Sequence, residues 1–104
     1  MKHIVAALVS VGVFAVLSGS AIAADPHNGE MVAKRWCASC HVVSADQHTG
    51  TTSAPPFSEI AKQPGIDAAK VALFLLAPHP RMPDMNLTRN EAADLAAYIE
   101  TQGK

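Results

Sequence analysis

The sequence predicts an all-α domain behind a short apolar leader. Three observations support this. Beyond residue 23 the apolar residues recur at helical spacing, in stretches opened by capping residues: Asp25-Pro26, Asp67 and Thr88-x-x-Glu91. That part of the chain carries no convincing strand pattern. Finally, Cys37-Ala38-Ser39-Cys40-His41 brings two cysteines and a histidine together at a spacing that suits one helical turn.

Residues 1–23 read as a cleaved signal peptide. Lys2 and His3 form a short basic start, Ile4 to Leu17 is a mostly apolar core, and Ala21-Ile22-Ala23 is an A-x-A cleavage site. Ser10 and Gly12 interrupt the core, which falls short of the ~20 residues a spanning helix needs. The expectation is a periplasmic domain, residues 24–104, with no membrane span after cleavage. An oxidising compartment favours disulfides. If Cys37 and Cys40 are to be used as thiols, a maturation system must keep them reduced.

The full chain has 8 Lys and Arg against 9 Asp and Glu, a net charge of −1. Cleavage removes one lysine, Lys2, and so leaves a net charge of −2. That balance excludes a basic nucleic-acid binder. The remaining chain is short, and its aromatics are Trp36, Phe57, Phe74 and Tyr98. Such a chain buries a modest core. A rigid bound group should complete it, and without that group the chain is expected to be largely unfolded.

The first helix is expected from Asp25 to Ala38, with Asp25 as N-cap and Pro26 at the first position. Gly29, Ala33 and Trp36 recur at helical spacing. A mid-helix glycine costs about 1 kcal/mol relative to alanine, so Gly29 points to the close approach of another helix. Trp36 is expected either in the core or in a functional role.

The C-x-x-C-H spacing of residues 37–41 is the attachment signature of c-type haem. From one turn, the sulfurs of Cys37 and Cys40 can reach both vinyl groups of a porphyrin. His41 then lies under the iron as the proximal ligand. A redox dithiol would need a βαβ context, and a structural zinc site would need a second ligand pair. A plain disulfide leaves His41 without a role.

Val42 to Thr52 has loop composition, with His48 solvated within it. Pro55-Pro56-Phe57 follows, with Phe57 expected to anchor the loop on the core. Ser58 to Gln63 suits one or two helical turns with Ile60 inward, broken by Pro64-Gly65. Asp67 caps a helix over Ala68–Leu76, whose expected buried stripe is Val71, Phe74 and Leu75. Pro78 and Pro80 end it. The segment from His79 to Leu87 holds His79, Met82 and Met85, a set that also resembles a soft Cu(I) site. The last helix opens with the capping box Thr88–Glu91. It buries Leu95, Tyr98 and Ile99, uses Ala92 and Ala96 for close packing, and stops near Gly103.

In this order, four motifs resemble a small bacterial class I cytochrome c: Cys37-x-x-Cys40-His41, Ala54-Pro55-Pro56-Phe57, Pro78-His79-Pro80-Arg81-Met82-Pro83 and Leu95-Ala96-Ala97-Tyr98-Ile99. The resemblance runs from Gly29 to the C-terminus. It implies the cytochrome c fold, with three main helices and loops around one covalently attached haem c and its iron. It implies that Gly29 contacts the C-terminal helix. A proline carbonyl, Pro55 before Pro56, would accept from the His41 ring. Met82, which opens a Met-Pro pair ahead of the final helix, would be the sixth ligand. Met82 lies between Pro80 and Pro83, where the backbone is held extended, whereas Met85 is freer to turn outward and His79 is the outsider.

The function so implied is a soluble, monomeric periplasmic carrier of single electrons in a respiratory chain. A dehydrogenase would be its donor and an oxidase or another cytochrome its acceptor. The alternatives are a peroxidase-like haem enzyme or gas-binding protein with an open sixth site, and a haem-free copper or thiol protein.

Overall fold

The computed structural model of the chain describes residues 9–15, 23–51, 53–77 and 81–104. The cleavage-site residues Ala21 and Ile22, and the segment Pro78, His79 and Pro80, lie outside the described residues. Four helices follow in order: α1 (Pro26–Trp36), α2 (Phe57–Ile60), α3 (Ala68–Leu76) and α4 (Arg89–Thr101). Among the described residues there is no strand, and no helix is long and apolar enough to cross a membrane. Within residues 9–15, Val9, Val11, Val13 and Phe14 are exposed.

Local chemistry sets the helix ends. The Asp25 side chain accepts from the His27 N–H, with Pro26 in the first turn, while Lys34 and Arg35 sit in the last turn of α1 where the helix dipole favours cations. This helix stops at Trp36, two residues before the expected Ala38. The Ala33 carbonyl accepts from both the Cys37 and Ala38 N–H groups, at 2.8 and 3.1 Å, and that shared bond ends the regular ladder. Asp67 accepts from the Lys70 N–H and opens α3 over the expected residues. Ala77 then turns extended, with ψ of 136°, as a residue before proline should. Both halves of the Thr88–Glu91 capping box are formed.

Helix α4 is the hub, packing against α1 and α3. Leu95 and Val43 are fully buried, and Val32, Ala33, Cys37, Phe57, Val71, Ala96, Tyr98 and Ile99 complete the core. α1 crosses α4 at Gly29, where a Cβ would overlap the Asp94 carbonyl and lie 2.8 Å from the Tyr98 Cβ. The same place is tied by polar groups: Asp94 accepts from the Asp25 N–H at 2.7 Å and from the Asn28 amide at 2.8 Å. A side chain at residue 29 would force these bonds and the crossing apart together.

Two expectations about packing need correction. Trp36 is 45% exposed, with the Arg35 guanidinium 4.9 Å from its ring centre, so it is not a core residue. Phe74 is 55% exposed. The face of α3 turned to the core carries Ala68, Val71, Ala72 and Leu75, which leaves Leu73, Phe74 and Leu76 on the other side. α4 ends at Thr101 with Gln102 as C-cap, next to Gly103 as expected; a Cβ at residue 103 would meet the Ala61 Cβ at 2.9 Å, so the glycine also packs closely on the α2 end.

Candidate functional site

Beyond α1 the chain winds into a second turn. The Cys37 carbonyl accepts from the N–H groups of Cys40 and His41 at 3.1 and 2.9 Å. This puts Cys37, Cys40 and His41 on one turn, as their spacing predicts. Cys37 is buried and Cys40 exposed. Burial pushes the Cys37 thiol up to about 11.

The His41 ring is half-buried, and its Nδ1 lies 2.7 Å from the Pro55 carbonyl. A carbonyl can only accept, so Nδ1 carries the proton and Nε2 keeps its lone pair. The Pro56 carbonyl is already occupied, since it accepts from the Glu59 and Ile60 N–H groups that open α2. Phe57, 3% exposed, has its ring centre 5.5 Å from that of His41 and 6.3 Å from that of Tyr98. It therefore packs the histidine against α4.

Around His41, backbone carbonyls are held by donors from elsewhere in the chain. Cys40 accepts from the Thr51 N–H at 2.9 Å and hydroxyl at 3.2 Å; Val42 accepts from the Phe57 N–H at 3.0 Å. The Val43 carbonyl accepts from the Tyr98 hydroxyl at 2.6 Å. Gln47 takes three more. Its side-chain N–H groups point to the carbonyls of Ala38, His41 and Thr49 at 3.1, 2.7 and 2.6 Å, and its oxygen accepts from the Val43 N–H at 2.9 Å. Nothing in the local pattern singles Gln47 out. It is one polar residue in a polar loop, and its partners become visible only once the loop has closed. His48, beside it, is exposed, as expected.

Met82 and Met85 lie beside the C-terminal end of α3. Both are half-buried and line one pocket with Leu75, Leu76, Ala77, Pro83, Asp84 and Leu87. Met85 does not turn outward. The Asp84 carboxylate accepts from the Asn86 N–H at 2.8 Å, and Asn86 adopts a left-handed φ of 50°, a turn that keeps Met85 against the pocket.

The family model for Cytochrome c matches residues 26–103. The chain belongs to the cytochrome c family. It is 51% identical over 82 residues to Cytochrome c-552 of Bradyrhizobium diazoefficiens, a match covering 79% of each chain. No solved structure matches it.

A cytochrome c carries haem c, covalently attached and holding iron, and Cys37-x-x-Cys40-His41 is the attachment motif in this chain. The residues present fit that group. Two thiols and an imidazole share one turn, the imidazole keeps a free Nε2 lone pair, and two thioethers line an apolar pocket beside α3. The exposed apolar face of α3, with Leu73, Phe74 and Leu76, is the kind of surface a porphyrin covers. With one attachment motif, this cytochrome c is a monohaem electron carrier.

Proposed function

We propose that this cytochrome c is a soluble periplasmic protein, cleaved after residue 23, that carries single electrons and catalyses no reaction of its own. In this reading its haem is bonded to Cys37 and Cys40 and ligated by His41 and Met82, with Pro55 orienting His41. The observation that carries the reading is the 2.7 Å contact between His41 Nδ1 and the Pro55 carbonyl, which leaves Nε2 as the ring's one lone pair. Haem c supplies one iron that passes between two oxidation states. The residues supply everything else. His41 and Met82 would hold that iron through a neutral imidazole and a neutral thioether, a pair that would favour the reduced state and raise the potential. Phe57 and the loop bonds hold His41 still, so little rearrangement accompanies each electron.

Met82 is preferred to Met85 because it opens the Met-Pro pair ahead of α4, although both reach the same pocket. The partners proposed are a dehydrogenase as donor and an oxidase or another cytochrome as acceptor. The near-neutral charge gives weak electrostatic steering. The protein is then a monomer that docks transiently over an area below about 1,200 Å².

Replacing each methionine with alanine tests the ligand set. Met82→Ala should lose the weak far-red sulfur-to-iron band, lower the midpoint potential and admit carbon monoxide or cyanide. Met85→Ala should keep the band. The opposite pattern would make Met85 the ligand. Loss in neither, with rapid cyanide binding by the unaltered protein, would mean an open-site haem enzyme.

A further inference from the structure

We propose that Gln47 is a positioning residue for electron transfer, a side-chain splint that holds the backbone of His41 during each change of oxidation state. The inference rests on the reading of His41 as an iron ligand and goes beyond it. Gln47 touches the proximal turn on both sides of the histidine. It reaches the Ala38 carbonyl ahead of it, the carbonyl of His41 itself, and the Val43 N–H behind it, and it closes on Thr49. Its two N–H groups serve three carbonyls, the longest contact being the 3.1 Å one to Ala38. Only a primary amide of this length can do all of this. Glutamate lacks the donors, asparagine is one methylene short, and methionine matches the length with neither donor nor acceptor.

The bonds made by Thr51, Phe57 and Tyr98 act on Cys40, Val42 and Val43, none of them on His41 itself. The backbone of the histidine is gripped by Gln47 and by the helical bond from its own N–H to Cys37. The Pro55 contact orients the ring but sits on a separate stretch of chain. If the backbone drifts, that ring contact lengthens and the ligand moves with the iron's charge.

The test uses the haem-loaded protein. In the unaltered reduced protein, proton NMR should show the Gln47 side-chain amide exchanging with water far more slowly than that of the exposed Gln63. Gln47→Met and Gln47→Glu should retain covalent haem and the far-red band. In both, the His41 Nδ1–H should exchange about fivefold faster or more, the factor one ordinary hydrogen bond supplies. Electron self-exchange should slow several-fold, most in Gln47→Glu, where a carboxylate faces three carbonyls. If Gln47 is merely structural, the melting temperature alone falls, while His41 N–H exchange and self-exchange stay at wild-type values; that result overturns the proposal. A Gln47 amide that exchanges as fast as that of Gln63 overturns it too, without any variant. Absence of hyperfine shifts on the His41 ring of the oxidised protein would overturn the ligand reading itself, and is told apart because it appears in the unaltered chain.

Discussion

The two sides of the site are built differently. The proximal stretch, residues 37–57, is held by bonds from its own loop, from the start of α2 and from α4: Gln47 to His41, Thr51 to Cys40, Phe57 to Val42, Tyr98 to Val43. The methionine stretch, residues 81–87, is held among the described residues by one local turn, the Asn86 N–H on the Asp84 carboxylate, and by apolar contact with the end of α3. A segment with few hydrogen bonds opens locally at low free energy, and one with many does not. In the proposed ligand set the histidine side would therefore be set by the protein, whereas the methionine side would lean on its bond to iron, and ligand exchange should begin at the methionine.

The largest expected effect tests whether the proximal frame stands without its covalent anchor. Cys37→Ala combined with Cys40→Ala should abolish haem staining on a denaturing gel and, with it, the cooperative helical melt. A folded, haem-free helical protein would mean that the proximal bonds suffice alone.

A smaller but still large effect is expected where α1 crosses α4. Gly29→Val places a branched side chain on the Asp94 carbonyl and beside Tyr98, the residue that also holds Val43. The loss should be about 1–3 kcal/mol or more, read by denaturant unfolding of the holoprotein. It should fall on the proximal side, with the far-red band intact. A change of only a few tenths would place the crossing elsewhere.

Tyr98→Phe isolates a single proximal bond. The Val43 carbonyl loses its buried donor, which should cost about 1–3 kcal/mol. Burial also holds the Tyr98 phenol above its ordinary value of 10.0. A raised folded-state value contributes stability that is complete below about pH 10 and is lost as pH rises through the folded value. The unaltered protein should show this alkaline fall, and Tyr98→Phe should lack its share of it. Equal slopes in the two proteins would show that the phenol ionises alike in both states.

The smallest effect is expected on the methionine side. Asn86→Gly removes the strain of a left-handed φ of 50° and keeps the N–H to Asp84. Stability should change by less than about 1 kcal/mol, since relief of strain and the extra freedom of the unfolded chain oppose each other. A loss as large as that of Tyr98→Phe would erase the distinction between the two sides.

Interactions that close within four residues could be read from the chain alone. The caps at Asp25, Asp67 and Thr88, the turn joining Cys37 to His41, and the stop before Pro78 follow from bonds between near neighbours, and they stand where the spacing puts them. The A-x-A site and His79 lie outside the described residues. Tertiary structure decided what each face meets. Periodicity shows that α3 has an apolar face but not where it is centred, and packing on α4 turned Val71 inward and left Phe74 exposed. Trp36 shares the stripe of α1 that carries Gly29 and Ala33 but is the last residue of the helix, where it stays exposed and is stacked by Arg35. Gln47 and the hydroxyl of Tyr98 find partners only when the loop closes on itself and on a helix 55 residues further along the chain. A polar side chain gives no sign in sequence of which distant backbone group will need it, because that need arises only once water has been excluded.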